Sequence, residues 1–141
     1  MVLNRQKKVR VGVAPLERFL AEVQAAVRVR DAEVTVCLVS DRHMARLNRY
    51  RRKSGPTDVL SFPARKSASR RPSQARFLGD IAVAPETARR YARRNGRTLK
   101  DELRVLVLHG VLHLLGYDHE TDHGEMDRLE RRLRRRLGVA S

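Results

Sequence analysis

The stretch HGVLHLLGYDH, residues His109 to His119, decides how the rest of this sequence is interpreted. Its first two histidines are four residues apart, and the segment from Leu103 to Leu115 is apolar with the spacing of a helix. Residues at positions i and i+4 of a helix lie on one face, one turn apart. His109 and His113 are therefore predicted to bind one metal ion together.

Gly116 predicts the end of that helix, because glycine adopts the left-handed conformation that closes a helix at little cost. The chain can then turn back and present His119 as a third ligand. His123 is an alternative third ligand, but it follows a charged Glu-Thr-Asp run, and we rank it below His119. Three protein ligands with a fourth position for water are typical of a catalytic zinc site.

The position after the first histidine separates this motif from that of common metallopeptidases. In H-E-x-x-H the glutamate is the general base. Here Gly110 stands in its place, so the metal geometry is kept and that base is missing. Either another group moves protons, or a metal-bound hydroxide does most of the work. The pattern disfavours a peptidase of the usual kind.

Composition predicts one globular domain over residues 1–141. No run of about 18 apolar residues is present, so we expect no membrane span. The N-terminal residues are basic and lack the apolar segment of a signal peptide. The single cysteine, Cys37, cannot form an internal disulfide, which favours a reducing, cytoplasmic compartment.

The charge is strongly positive, with 31 Lys and Arg against 16 Asp and Glu and a formal net charge of +15. Such a field attracts polyanions and accelerates their encounter. Arginine dominates, and its guanidinium suits bidentate contacts with phosphate. The alternative is a compositional bias toward arginine, in which the charged side chains are only solvated at the protein surface. We predict nucleic acid as the partner.

A basic cluster lies ahead of a short predicted strand in the segment Asn48–Pro63, and it consists of Arg49, Arg51, Arg52 and Lys53. A cationic loop beside a metal site can hold a phosphodiester and stabilise the charge that develops on cleavage. A solvated surface turn explains the same residues equally well. The basic segment Arg65–Arg76 is predicted to be an exposed loop, suited to backbone-phosphate contact.

Hydrophobic periodicity predicts an α+β fold: a mixed sheet of about four strands with helices mainly on one face. The predicted strands are Lys7–Val13, Glu33–Val39, Asp58–Phe62 and Leu78–Ala84, and the predicted helices are Leu16–Val29, Arg42–Tyr50, Pro85–Arg94, Thr98–Leu115 and Gly124–Leu137. Ser40 or Asp41 is expected to cap the second helix, and Thr98 the fourth. Glu102, two turns before His109, is predicted to accept from a histidine or to pair with an arginine, and we favour the histidine.

The chain resembles the YbeY family of bacterial metal-dependent endoribonucleases from about Asn48 to its C-terminus. The segments that carry the resemblance are Pro56–Pro63 (PTDVLSFP), Leu78–Ile81 (LGDI) and the signature H-G-x-L-H-L-x-G-Y-D-H over His109–His119. The resemblance implies an α+β fold with a zincin-like metal-binding helix and one metal ion, zinc or another divalent cation. It implies His109, His113 and His119 as the ligands.

The resemblance also implies single-stranded RNA as substrate, with roles in ribosomal RNA processing, small-subunit (30S) maturation and ribosome quality control. The small ribosomal subunit or its proteins are the implied partners. Arg51, which follows Tyr50, matches a family arginine held to be important for activity, and Arg52 is the alternative because the preceding segment is one residue short. His113 and Arg51 are thus the candidate catalytic residues. Asp118, like Glu102, is a candidate for supporting the metal-binding histidines.

Three functions remain open at this point. In the first, the metal activates water and polarises a phosphate oxygen, Arg51 neutralises the phosphate, and either water or the RNA 2′-hydroxyl attacks. The second is a ribosome-assembly or RNA-binding factor whose metal is structural. The third is a metal hydrolase of another phosphoester or of a peptide.

Overall fold

The computed structural model describes residues 1–50, 57–64, 76–118 and 120–139. In chain order its elements are β1 (Val2–Asn4), α1 (Val13–Ala26), β2 (Glu33–Leu38), α2 (Asp41–Tyr50), β3 (Val59–Pro63), β4 (Phe77–Val83), α3 (Pro85–Arg94), α4 (Leu99–Leu114) and α5 (Glu125–Leu137). Within those ranges, no helix combines the length and the apolar character needed to cross a membrane.

The four strands form one mixed sheet in the order β1-β2-β4-β3. Strand β2 runs parallel to both β1 and β4, whereas β3 pairs with β4 in the antiparallel direction. This arrangement confirms the predicted α+β class and the mixed four-stranded sheet. Among the described strands, β3 lies at an edge and pairs with β4.

One row of paired residues crosses the sheet under helix α4. Val2 pairs with Val36, Val36 with Ile81, and Ile81 with Ser61. The three apolar members are buried, with exposed fractions of 4% or less. Ser61, at the edge, instead donates from its Oγ to the carbonyl oxygen of Gly110 at 3.2 Å. The row therefore ends in a hydrogen bond between β3 and α4.

Helix α4 is the centre of the core, because it is apolar on nearly every side and contacts β3, β4, α1, α3 and α5. A helix that is hydrophobic all round requires neighbours on all sides. The main cluster packs α1, α4 and α5 against one face of the sheet. A smaller cluster, which includes Met44 of α2 and Ala82 of β4, lies apart from it. These clusters confirm the prediction of helices mainly on one face.

The N-terminal strand was predicted at the wrong residues. The structure places β1 at Val2–Asn4, and residues 7–12 are irregular up to the start of α1. The reason is the Gln6 side chain, which donates to the carbonyl oxygen of Val9 at 2.8 Å and accepts from its backbone N–H at 3.0 Å. Side-chain bonds of this kind replace a strand ladder with a local loop.

The predicted helix caps are found. The backbone N–H of His43 donates to Ser40 Oγ at 3.1 Å, so Ser40 caps the start of α2. Thr98 is the N-cap of α4, and its Oγ1 accepts from the backbone N–H of Asp101 at 3.1 Å. Each cap satisfies a backbone N–H that has no partner within the helix.

Gly110 allows α4 to lie close to β4. A Cβ atom at position 110 would lie 2.7 Å from Cγ2 and 2.9 Å from Cδ1 of Ile81, both closer than normal packing permits. We expect Gly110→Ala to lower the free energy of unfolding by about 1–3 kcal/mol, because overpacking outweighs the gain of about 1 kcal/mol in helix propensity. Urea unfolding followed by circular dichroism measures this difference.

The control is a double-mutant cycle with Ile81→Ala, which removes the atoms that the new methyl group would meet. If the clash is the cause, Gly110→Ala is far less damaging in the Ile81→Ala background than in the unchanged chain. A Gly110→Ala chain that is more stable than the unchanged chain would show that the helix has room to move away.

Candidate metal centre

Helix α4 ends as its sequence predicts, two residues before Gly116. Gly116 has a φ of +98°, and its N–H donates to the carbonyl oxygen of His113 at 3.0 Å. The N–H of Tyr117 donates to the carbonyl oxygen of Leu112 at 3.1 Å. This pair of bonds is the Schellman motif, which reverses the chain at a helix end. Residues 116–118 consequently lie beside the last turn of the helix.

His109 and His113 present their rings toward each other across one helical turn. Their Nε2 atoms lie 3.0 Å apart, and both side chains are partly buried. Zinc bound tetrahedrally at 2.0–2.1 Å would separate two ligand nitrogens by about 3.3 Å. The two imidazoles therefore fit two corners of such a site after a small adjustment.

Glu130 of α5 fixes the orientation of His109. Its Oε1 lies 2.9 Å from His109 Nδ1, and its Oε2 accepts from Arg134 at 3.3 Å. Burial alone would raise the pKa of Glu130, but the hydrogen bond and charge of His109, together with Arg134, leave that pKa below its ordinary value. An ionised carboxylate on Nδ1 leaves Nε2 as the nitrogen available to a metal.

Glu102 does not reach a histidine in the structure. Its Oε2 lies 3.4 Å from Nη1 of Arg97, and its side chain is buried. Two turns of helix separate it from His109 by about 10 Å along the axis, which a glutamate side chain cannot span. The expected contact with a histidine is therefore corrected to an ion pair with Arg97, the alternative that the sequence left open.

The two histidines lie at a cleft of about 450 Å³ between α4, the edge strand β3 and the turn after Gly116. Its lining comprises Val59, Leu60, Ser61, Pro63, His109, His113, Gly116, Tyr117, Asp118 and Glu120. The edge strand supplies an extended wall, and α4 supplies the imidazoles. A polymer can therefore lie along the strand and pass over the histidines.

Asp118 lies in this cleft and shapes the turn that follows. Its Oδ1 accepts from the backbone N–H of Glu120 at 3.0 Å. Its carbonyl oxygen accepts from the backbone N–H of Asp122 at 3.0 Å. Its role as a partner of the metal ligands stays a prediction. His123 is exposed and is absent from the residues that line the cleft.

Several predicted site residues lie outside the described residues, namely His119, Arg51, Arg52 and Lys53. Arg49 is described, and it is exposed at the end of α2, beside Arg46 and Tyr50 rather than in the cleft lining. Within the described part of the chain, no three His, Cys, Asp or Glu side chains form a metal-binding group. The structure thus describes a pair of candidate ligands.

Two carboxylates near His109 were not recognised as site residues in the sequence. Glu130 occupies a core-facing position of α5, near the apolar Met126 and Leu133, and a buried carboxylate there requires a polar partner. Asp58, just before β3, has a pKa raised by burial, and the charge of His109 opposes that rise. The signal that identifies Glu130 is its acidic side chain on an otherwise apolar stripe.

Comparison with known proteins identifies the relatives of this chain. The family model described as endoribonuclease YbeY matches residues 1–138. An endoribonuclease YbeY from Koribacter versatilis is 42% identical over 142 residues, covering 100% of this chain and 88% of the relative. One from Thermobifida fusca is 43% identical over 128 residues, covering 86% of this chain and 81% of the relative.

A solved structure has a similar fold. The solution structure of TM1509 from Thermotoga maritima has a TM-score of 0.66 at 30% sequence identity. The similarity covers 97% of this chain and 89% of that one. The match over the whole described architecture, the long sequence alignments and the histidine motif agree, and the chain belongs to the YbeY family.

Proposed function

We propose that this chain is a metal-dependent endoribonuclease that cleaves single-stranded RNA in ribosomal RNA processing, small-subunit (30S) maturation and ribosome quality control. Its family membership identifies the chain as an endoribonuclease. The observation that carries the proposal is the approach of His109 Nε2 and His113 Nε2 to 3.0 Å at the cleft.

In this proposal His109 and His113 bind one zinc ion or another divalent cation, and His119 is the third ligand. When bound, such an ion acts as a Lewis acid toward a phosphate oxygen and lowers the pKa of a bound water. Glu130 keeps the Nδ1 proton of His109 in place, so that Nε2 stays directed toward the ion. Asp118 is the further candidate for supporting the ligands from the cleft side.

The basic residues are proposed to bind the substrate. The net charge of +15 attracts RNA to the whole molecule. Arg51 is assigned to the scissile phosphate, where a guanidinium stabilises the negative charge that increases during cleavage. Arg49, Arg52 and Lys53 are assigned to neighbouring phosphates.

The proton acceptor cannot come from position 110. Any side chain there would first meet Ile81, so the base of the common metallopeptidases has no space in this fold. This observation supports a phosphodiesterase over a peptidase. The nucleophile is either a water or the 2′-hydroxyl of the RNA, with His113 beside the reacting group as both ligand and catalytic residue.

The proposed partner follows from the substrate. We propose that the chain binds the small ribosomal subunit or its proteins in the cytoplasm, with its positive charge directed at the phosphates of ribosomal RNA. We propose that residues 1–141 act there as one domain.

The first test replaces the proposed ligand. We expect His113→Ala to reduce metal content and the rate of RNA cleavage by more than about 100-fold, since loss of even an outer partner of a ligand costs on the order of 10–100-fold. Metal is measured by elemental analysis of the purified protein, and cleavage is measured on a labelled single-stranded RNA.

The matched control for this test is His123→Ala, which removes an exposed imidazole of the neighbouring loop. We expect that variant to retain both metal and activity. If His113→Ala cleaved RNA at the unchanged rate, the activity would belong to another group or to a contaminating nuclease. Loss of metal in His123→Ala would instead identify His123 as a ligand.

The second test separates the roles of Glu130, which contacts His109, and Glu102, which pairs with Arg97. We expect Glu130→Gln to weaken zinc binding by about 10–100-fold, because a neutral amide oxygen accepts from the Nδ1–H of His109 more weakly than a carboxylate does. Glu102→Gln removes the same charge from a carboxylate that pairs with Arg97, and its zinc affinity should stay unchanged. Competition with a chromophoric chelator gives both affinities, and circular dichroism verifies folding. Equal losses in the two variants would contradict the assigned role of Glu130.

A further inference from the structure

A second recess adjoins the cleft on the side of helix α5. It has a volume of about 320 Å³ and is lined by Tyr117, Glu125, Arg128, Leu129 and Arg132. Tyr117 also lines the cleft that contains the histidines. The two depressions therefore share one aromatic wall, and a strand that leaves the cleft past Tyr117 enters the recess.

The side chains of the recess suit one nucleotide. Tyr117 is 36% exposed, so part of its ring is available to a base, and aromatic rings stack on bases without sequence preference. Arg128 and Arg132 lie four residues apart on α5, on one face, and both are exposed. Two guanidinium groups at this spacing can bind the same phosphate or successive phosphates.

Arg128 and Arg132 differ from two other arginines of the helix, Arg131 and Arg134. Arg131 pairs with Asp127, and Arg134 pairs with Glu130. In the described ranges, neither Arg128 nor Arg132 forms a salt bridge within 4.0 Å. Their charge is therefore available to a ligand from outside the chain.

The loop before α5 holds Arg128 in place. Its Nη1 donates to the carbonyl oxygen of His123 at 3.3 Å. That guanidinium lies over Gly124, whose φ is +93° and whose position would place a Cβ only 2.9 Å from Nη1. The acidic member of the recess, Glu125, accepts from the backbone N–H of His123 at 2.6 Å, which occupies one of its carboxylate oxygens. The recess thus keeps one fixed cation beside an aromatic ring.

We infer that this recess is a subsite for a nucleotide next to the cleaved position, with the base stacked on Tyr117 and its phosphate bound by Arg128 and Arg132. The inference rests on the proposed function, because it assigns the path of the RNA strand beyond the cleft. The occupant is single-stranded RNA, since a paired base has no exposed face to stack on the ring.

The test compares four variants of the full, metal-loaded chain. Tyr117→Leu removes the ring, Tyr117→Phe keeps it, and Arg132→Gln removes one recess charge. Arg136→Gln is the matched control, because Arg136 is an exposed arginine of the same helix, one turn beyond Arg132, and does not line the recess. The probe is a labelled single-stranded RNA with 2′-O-methyl sugars, long enough to extend beyond the cleft. Anisotropy gives its Kd at several salt concentrations, and a gel verifies that it stays intact.

We expect Tyr117→Leu and Arg132→Gln each to raise Kd about five- to tenfold, and Tyr117→Phe and Arg136→Gln to change it less than about twofold. Arg132→Gln should also reduce the slope of log K against log salt by about 0.7, the value for one phosphate contact on a single strand. With a trinucleotide probe that fits within the cleft, Arg132→Gln and Arg136→Gln should both bind like the unchanged chain, because neither residue lines the cleft.

Equal effects of Arg132→Gln and Arg136→Gln, or an unchanged Kd in Tyr117→Leu, would overturn the subsite. Cleavage of an unmodified RNA by the unchanged chain is measured separately. If the unchanged chain cleaves RNA but the recess variants bind the probe with an unchanged Kd, the proposed function is supported and the subsite is contradicted. If the recess variants bind the probe more weakly but the unchanged chain does not cleave RNA, the recess is supported as an RNA-binding site and the proposed nuclease activity is contradicted.

Discussion

The close contact between α4 and β4 at Gly110 and Ile81 sets the position of everything else in the site. Because position 110 lacks a Cβ, helix α4 packs close to the sheet. The carbonyl oxygen of Gly110 then accepts a hydrogen bond from Ser61 Oγ. That approach brings the edge strand β3 to the same cleft as His109 and His113. Gly110 thus has two effects. It leaves no side chain at position 110 to act as a general base, and it allows α4 to approach the strands that line the cleft.

Features that depend on neighbours along the chain were predictable from the sequence. The helical spacing of Leu103–Leu115, the Thr98 cap and the Gly116 stop are local, and the structure has each of them at the expected residues. The mixed four-stranded sheet followed from the order of the elements. The metal roles of the histidines stay predictions, but their presence on one helical face required only the four-residue spacing.

Features that depend on which partner a single side chain contacts were not predictable in the same way. Residues Lys7–Val13 alternate like a strand, yet the Gln6 side chain closes a loop on Val9, and β1 lies earlier. Glu102 lies on the same face of α4 as His109, but two turns of helix separate them, and its carboxylate pairs with Arg97. Glu130 reaches His109 across 21 positions of sequence, and only the packing of α5 against α4 brings them together.

The contact between Glu130 and His109 has a consequence for the newly made protein. Helix α5 follows α4 in the chain, so His109 gains its orienting carboxylate only after α5 has been synthesised and has packed against α4. While the segment that forms α5 is still enclosed by the ribosome, that imidazole does not yet have its contact with Glu130. In this member of a ribonuclease family, one candidate metal ligand is therefore oriented only when α5 is in place.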